Sequence, residues 1–351
     1  MRKTLFTLIL SLAAATGVFA GPGDTVKVVA VGDIMMGTIY PNRQYLPAKE
    51  DCSPQLSEVK SVLRTGDIVF GNLEGVLTDS NAGAKRCGNS NVCYTFGMPT
   101  HFAKCLTDAG FNLLSIANNH VGDFGEAGRK STIETLKKNG IHYAGLAGYC
   151  PTTTFTIKGV KYGFCAFAPN TGTVSIKDIP AAQTIVRNLA KECDIVIVSF
   201  HGGAEGSKYQ HVTRNTETFL GENRGNVHDF AHKMIDAGAD ILLGHGPHVT
   251  RAIEVYKDRF IAYSMGNFCT YDRVNISGVN GLAPIFKIFT DKQGKFLKGE
   301  LISTNQIKYQ PVKIDSQKRV LKVVQDLTKA DFPEMNSVIN ISNNGIITLK
   351  K

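Results

Sequence analysis

Gly238-Ala-Asp-Ile-Leu-Leu-Gly-His-Gly-Pro-His-Val249 is the stretch whose reading decides the fold. Ile241 to Leu243 is an apolar run that predicts a buried strand, and Gly246 and Pro247 turn the chain directly after it. Two imidazoles, His245 and His248, are thereby held at the carboxyl end of a strand. In open α/β sheets that edge is where ligands bind. Taken alone, a pair of loop histidines bonded to backbone would explain the spacing equally well, since imidazole is common both as a metal ligand and at surfaces. The neighbouring sequence breaks the tie.

Working outward, four more apolar runs end in a polar cluster. Asp194 to Phe200 leads into His201-Gly-Gly, and Phe111 to Ala117 into Asn118-Asn119-His120. Asp67-Ile-Val-Phe leads into Gly71-Asn-Leu-Glu74, and Val26 to Val31 into Gly32-Asp33. Helical spacing separates the runs over Leu56–Leu63, Pro99–Ala109, Glu126–Lys138, Ala181–Lys191 and Val227–Ala237. Hairpins are expected at Thr153–Ile157 with Tyr162–Ala168, and at Ala252–Tyr256 with Phe260–Tyr263. From Leu282 onward the chain reads as alternating strands, with one helix near Val320 to Leu327. The alternation makes this an α/β protein; by itself it allows several layouts of the sheets.

Carboxylate, amide oxygen and imidazole are the donors that suit divalent Zn, Mn or Fe. Asp33, Glu74, Asn119 with His120, His201, and His245 with His248 therefore predict a centre for one or two divalent ions. Such a centre polarises a phosphoryl or acyl oxygen and acidifies water. His228 and His232, one helical turn apart beside the buried face marked by Val227, Phe230, Ala231 and Met234, read instead as a solvated pair of helix neighbours.

The first twenty residues are set apart by the basic Arg2 and Lys3, an apolar core from Leu5 to Ala15 and the small-residue pattern Val18-Phe-Ala20. They predict a secretory signal cut after Ala20, hence an exported protein of the periplasm, cell envelope or exterior. The formal net charge of +9 falls by two, to +7, without Arg2 and Lys3. A basic exported protein suits an anionic polymer or a phosphate-containing small molecule, with peripheral association at the envelope. No aromatic and basic strip for single-stranded nucleic acid is present, which argues against a nuclease. Eight cysteines allow roughly a hundred connectivities. Cys87 and Cys93, five residues apart in a Gly- and Asn-rich loop, are the expected pair, and Cys165 reads as a small core residue.

Gly32-Asp33-Ile-Met35, Asn72-Leu-Glu74, Ala117-Asn-Asn-His120, His201-Gly-Gly-Ala-Glu205, Gly244-His-Gly-Pro-His248 and Ser264-Met-Gly-Asn-Phe268 together resemble the CapA family, the poly-γ-glutamate capsule-biosynthesis proteins within the calcineurin-like metallophosphoesterase superfamily. The resemblance spans about Val26 to Phe268. It implies a four-layer α-β-β-α sandwich over residues 21–305, after a signal at 1–20 and before a mainly β C-terminal extension at 306–351.

It also implies roles. Asp33 and His248 resemble ligands of a first metal, Asn119, His201 and His245 those of a second, Glu74 the bridging carboxylate, and His120 the histidine that assists the leaving group. Apart from the resemblance, Glu205 reads either as the carboxylate that orients His201 or as an exposed loop carboxylate, and Asn267 is expected to tie the strand end beside the site. Two departures affect the chemistry: Met35 stands where phosphoesterases have a ligating His, and Glu74 is one methylene longer than the usual Asp. Gly202 occupies a place where relatives often carry Trp, which predicts a more open site wall. The expected function is an exported metal-dependent hydrolase of envelope polymer synthesis or processing; the competing one is a non-catalytic protein that binds or guides an anionic polymer.

Overall fold

The computed structural model describes residues 25–86 and 94–350. The expected signal segment and the Cys87–Cys93 pair lie outside the described residues. Two sheets stack face to face. In the larger, the strand Val26–Met35 sits centrally, parallel to Ile68–Leu73, which is parallel in turn to Leu113–Ser115 and His142–Ala144. On its other side Leu282–Thr290 and Phe296–Asn305 continue the sheet antiparallel, and Ile346–Leu349 and Ile339–Ile341 close that edge. In the smaller sheet Val160–Phe167, Ile195–His201, Ile241–His245 and Arg259–Ala262 run parallel, with antiparallel strands Thr152–Ile157 and Ile253–Tyr256 at the two edges.

The parallel strands read as unbroken apolar runs because both of their faces are covered. Val28, Ala30, Phe70, Phe164, Phe260 and Phe286 belong to the core that joins the sheets, and helices Ile179–Glu192 and Val227–Asp236 pack on the outer side of the smaller one. A second core, including Val29, Val31, Leu63, Leu106 and Leu136, covers the outer face of the larger sheet with helices Phe102–Ala109 and Gly125–Lys138. This is the expected α-β-β-α order. Residues beyond 305 build no sheet of their own: helix Arg319–Asp331 lies on Leu282–Thr290 and Phe296–Asn305, and the last two strands extend the larger sheet. The helix expected at Leu56–Leu63 is reduced to a 3-10 turn at Ser53–Leu56 and a single helical turn at Lys60–Leu63.

The segment Tyr263 to Asn267 passes between the sheets and locks them. The Asp33 amide donates to the Gly266 carbonyl at 2.8 Å, and the Met265 amide to the Gly244 carbonyl at 3.1 Å. A Cβ on Gly32 would lie 1.9 Å from the Gly266 oxygen, and one on Gly244 2.3 Å from the Tyr263 oxygen. Only glycine fits at either strand.

A disulfide joins Cys52 to Cys105, tying the 3-10 turn to helix Phe102–Ala109, while Cys150, Cys165, Cys193 and Cys269 are free. Cys165 is fully buried, as a core residue should be. The bond closes a loop of 53 residues. The variant with Cys52→Ala and Cys105→Ala should lose about 2–4 kcal/mol of stability, because the open chain regains loop entropy on unfolding. Urea unfolding of parent and variant under non-reducing conditions checks this, and equal midpoints would refute it.

Candidate functional site

The two sheets present their carboxyl ends to one another, and the polar clusters meet there. Asp33, Glu74 and the Asn118–His120 turn come from the larger sheet; His201, His245 and His248 come from the smaller. His201 and His245 are register partners on adjacent strands, as are Asp33 and Asn72. Asp33, Glu74, His201 and His245 are each at most 1% exposed.

Hydrogen bonds fix one side of the site. Asn72 Nδ2 donates to Asp33 Oδ1 at 2.8 Å and to Glu74 Oε2 at 2.5 Å, and Asn118 Nδ2 donates to Asn72 Oδ1 and to the Leu73 carbonyl. His245 Nδ1 lies 3.1 Å from Asp33 Oδ1, and His248 Nδ1 lies 2.9 Å from Asp33 Oδ2. Burial works against the Asp33 carboxylate, but hydrogen bonds from His245 and His248 outweigh it and hold the group well below the usual carboxylate range. Burial also opposes charge on His248, yet Asp33 and Glu74 raise it to about 10. Glu74 is pushed up to about 8 by burial and by the neighbouring Asp33 charge.

The other side of the site is unsatisfied. Glu74 Oε1, Asn119 Oδ1, both ring nitrogens of His201 and Nε2 of His245 are buried without a hydrogen-bond partner. A buried polar atom left unpaired costs about 1–3 kcal/mol, and such atoms are few in native proteins. His201 Nδ1 lies 3.7 Å from Glu74 Oε2 and His245 is the register partner of His201, and an imidazole pair, a carboxylate and an amide are the donor types of a cation site. Burial keeps the His201 imidazole neutral, far below its ordinary pKa, which is the state that ligates a metal. Glu74, Asn119, His201 and His245 could therefore hold an ion with their free atoms. Asp33 and His248 are already bonded to each other, and Met35, fully buried at the end of the Asp33 strand, offers only a thioether.

His120 stands against this cluster with Nε2 3.8 Å from Glu74 Oε1. Its Nδ1 bonds to Asp123 Oδ2 at 2.8 Å, and its ring packs on Phe96 at 4.3 Å between centroids. Asp123 in turn pairs with Lys85 and accepts the Phe96 amide. Burial depresses the His120 pKa despite the Asp123 charge. Asn72, Asn118 and Asp123 were not identified from sequence; for Asp123 the available signal was an acidic residue three positions after His120 in a Gly-containing turn.

Two expectations are corrected. Glu205 makes its ion pair with Arg224, not with His201, whose nitrogens are both unbonded. The Gly203 amide bonds to the Arg224 carbonyl at 3.0 Å, and this brings the Arg224 segment alongside the loop that carries Glu205. Nor does Gly202 open the wall: a Cβ there would meet Ile176 Cδ1 at 2.9 Å and the Arg224 oxygen at 3.0 Å. Asn267 sits as expected, its Nδ2 donating to the His248 carbonyl at 3.0 Å and to the Asn280 carbonyl at 3.1 Å. It steadies His248 in a left-handed backbone conformation (φ 56°) that non-glycine residues seldom adopt.

Fold and site together define a two-sheet α/β sandwich whose apposed strand ends carry a histidine, carboxylate and amide cluster. Residues 27–272 match the family described as Bacterial capsule synthesis protein PGA_cap, and the chain belongs to that family. The Capsule biosynthesis protein CapA of Bacillus anthracis is 27% identical over 263 residues, covering 70% of this chain but 60% of that protein. The PGA biosynthesis protein CapA of Bacillus subtilis is 29% identical over 324 residues, covering 87% and 78%. Among solved structures, a hypothetical protein from Thermus thermophilus aligns with a TM-score of 0.48 at 14% identity, covering 80% of this chain and all of that one. A putative 5'-nucleotidase from Staphylococcus aureus aligns at 0.45 and 15%, covering 90% and 59%. Among the described residues no helix is long and apolar enough to cross a membrane.

Proposed function

We propose that this chain is an exported, metal-dependent hydrolase that acts on an envelope polymer of the poly-γ-glutamate kind, at a phosphoester or a γ-glutamyl amide bond. The observation that carries this reading is the set of buried, unpartnered donor atoms on Glu74, Asn119, His201 and His245. These four would hold one divalent ion tightly, with Mn, Zn or Fe suited to the donors. Asp33 and His248 would hold a second more weakly, since their bond to each other must first be broken. Such an ion supplies Lewis-acid polarisation of a phosphoryl or acyl oxygen and makes water acidic enough to attack near neutral pH. His120, oriented through Nδ1 by Asp123, directs Nε2 toward the cluster and is the group that would pass a proton to the leaving atom. The family's capsule-biosynthesis relatives support the link to an envelope polymer.

A second reading, a non-catalytic protein that guides an anionic polymer, is favoured by one observation: Met35 and the Asp33–His248 bond leave the first-metal position short of donors. Metal analysis of the purified protein, followed by a screen of phosphoester and γ-glutamyl amide substrates, separates the two. Bound divalent metal with chelator-sensitive turnover is the expected result. A protein that takes up no divalent metal, or takes it up and hydrolyses neither class, is a polymer guide.

A further inference from the structure

A second cluster of metal-ligating groups lies apart from the candidate centre and shares no residue with it. His228 and His232 project from helix Val227–Asp236, and Glu254 from the edge strand Ile253–Tyr256. One donor atom from each of the three lies within 4.8 Å of the others. We propose that His228, His232 and Glu254 form a site for a zinc-like divalent cation that braces this helix against the edge strand.

The donor chemistry is right for such an ion: two imidazoles and a carboxylate are a common zinc set, with bonds of about 2.0–2.1 Å and space for water as a fourth ligand. Around a tetrahedral ion, bonds of that length place donors about 3.3 Å apart. His232 Nε2 is already 2.9 Å and 3.0 Å from the two Glu254 oxygens, so a small separation of this pair admits the ion. A ring nitrogen of His228 lies within 4.8 Å of both.

The surroundings hold the three groups in place. Glu254 is 2% exposed, and Tyr263 donates its hydroxyl to Glu254 Oε2 at 2.7 Å, the outer hydrogen bond that orients a ligating carboxylate. The His232 ring stacks on Tyr256 at 3.8 Å between centroids, and the His228 ring lies nearly parallel to Tyr263. The two imidazoles are 4.1 Å apart between centroids on one side of the helix. The solvated pair expected from sequence is thus half-buried and has a buried carboxylate as its third member.

Position suggests the use. The helix directly precedes, and the strand directly follows, the segment that carries His245 and His248. An ion clamping these two elements would fix both flanks of that segment without touching it.

The test is zinc uptake by chelator-treated parent, His228→Gln and His201→Ala, counted by equilibrium dialysis, with thermal unfolding alongside. His228→Gln removes one ligand at a half-exposed position and leaves the His232–Glu254–Tyr263 hydrogen bonds intact. It should bind one zinc fewer than the parent and lose the zinc-dependent rise in Tm that this site produces. His201→Ala should keep the zinc that His228→Gln loses, so a failure here is distinguishable from a failure of the candidate centre. Zinc-edge anomalous diffraction from zinc-soaked parent crystals gives a direct answer without a variant: a peak among the three side chains is expected. No peak there, or equal zinc counts in the parent and a folded His228→Gln, overturns the proposal.

Discussion

His245→Ala should abolish tight metal binding and with it hydrolysis, whereas His120→Ala should keep the metal and lose hydrolysis by about 10²–10⁴-fold, the range of a removed general acid or base. The two histidines differ in their bonding. His245 offers an unpartnered Nε2 and is the register partner of His201 on the adjacent strand, so its removal strips a donor from the cluster. His120 has Nδ1 committed to Asp123, and its Nε2 stops 3.8 Å from Glu74, outside the range of a direct bond. Its ring is held by Phe96 and not by the donor cluster. Metal content measured with and without chelator, together with turnover on the best substrate of the screen, reads both effects. Full parental activity in His120→Ala would remove the histidine from the chemistry. Unchanged metal content in His245→Ala would remove the proposed tight site.

Arg251→Met should cost about 3–5 kcal/mol of folding stability, the range seen when one member of a buried ion pair is deleted. Arg251 is fully buried, and its guanidinium donates to both Glu217 oxygens, at 2.8 Å and 2.7 Å, and to the carbonyls of Tyr209 and Ala204. Glu217 Oε2 also accepts the Ala204 amide at 2.9 Å. The pair therefore staples the loop after His201 to the chain just after His248. Without the guanidinium, Glu217 is left charged and unpaired in the interior. The double variant Arg251→Met, Glu217→Gln should recover part of the loss, because it removes the stranded charge. Urea unfolding of the three proteins checks this. An Arg251→Met midpoint equal to that of the parent would show that the pair does not carry the loop.

Much of the fold was legible from local sequence. A strand buried on both faces must be apolar throughout, so Ile241–Leu243, Asp194–Phe200 and Val26–Val31 announce themselves without reference to the rest of the chain. Polar residues at the ends of such runs stand out against them, and that is how Asp33, Glu74, Asn119, His120, His201, His245 and His248 become candidates. The weak helix at Leu56–Leu63 was not readable, because its apolar residues serve a 3-10 turn, one helical turn and the lining of the outer core equally well.

What the tertiary structure alone decided is pairing. Nothing in the spacing of Cys52 and Cys105 marks them as partners; they bond because the 3-10 turn packs on helix Phe102–Ala109. Glu205 turned to Arg224, which a backbone hydrogen bond from Gly203 delivers beside it. The two helix histidines acquired Glu254 from a strand formed after the chain had passed through the site loop. Arg251, which no sequence pattern singles out, is among the most deeply buried side chains. The hydrophobic pattern is a local property, set by which face of each element is covered. The partner of a charge, thiol or imidazole depends on how distant elements are brought together, and no local pattern records that.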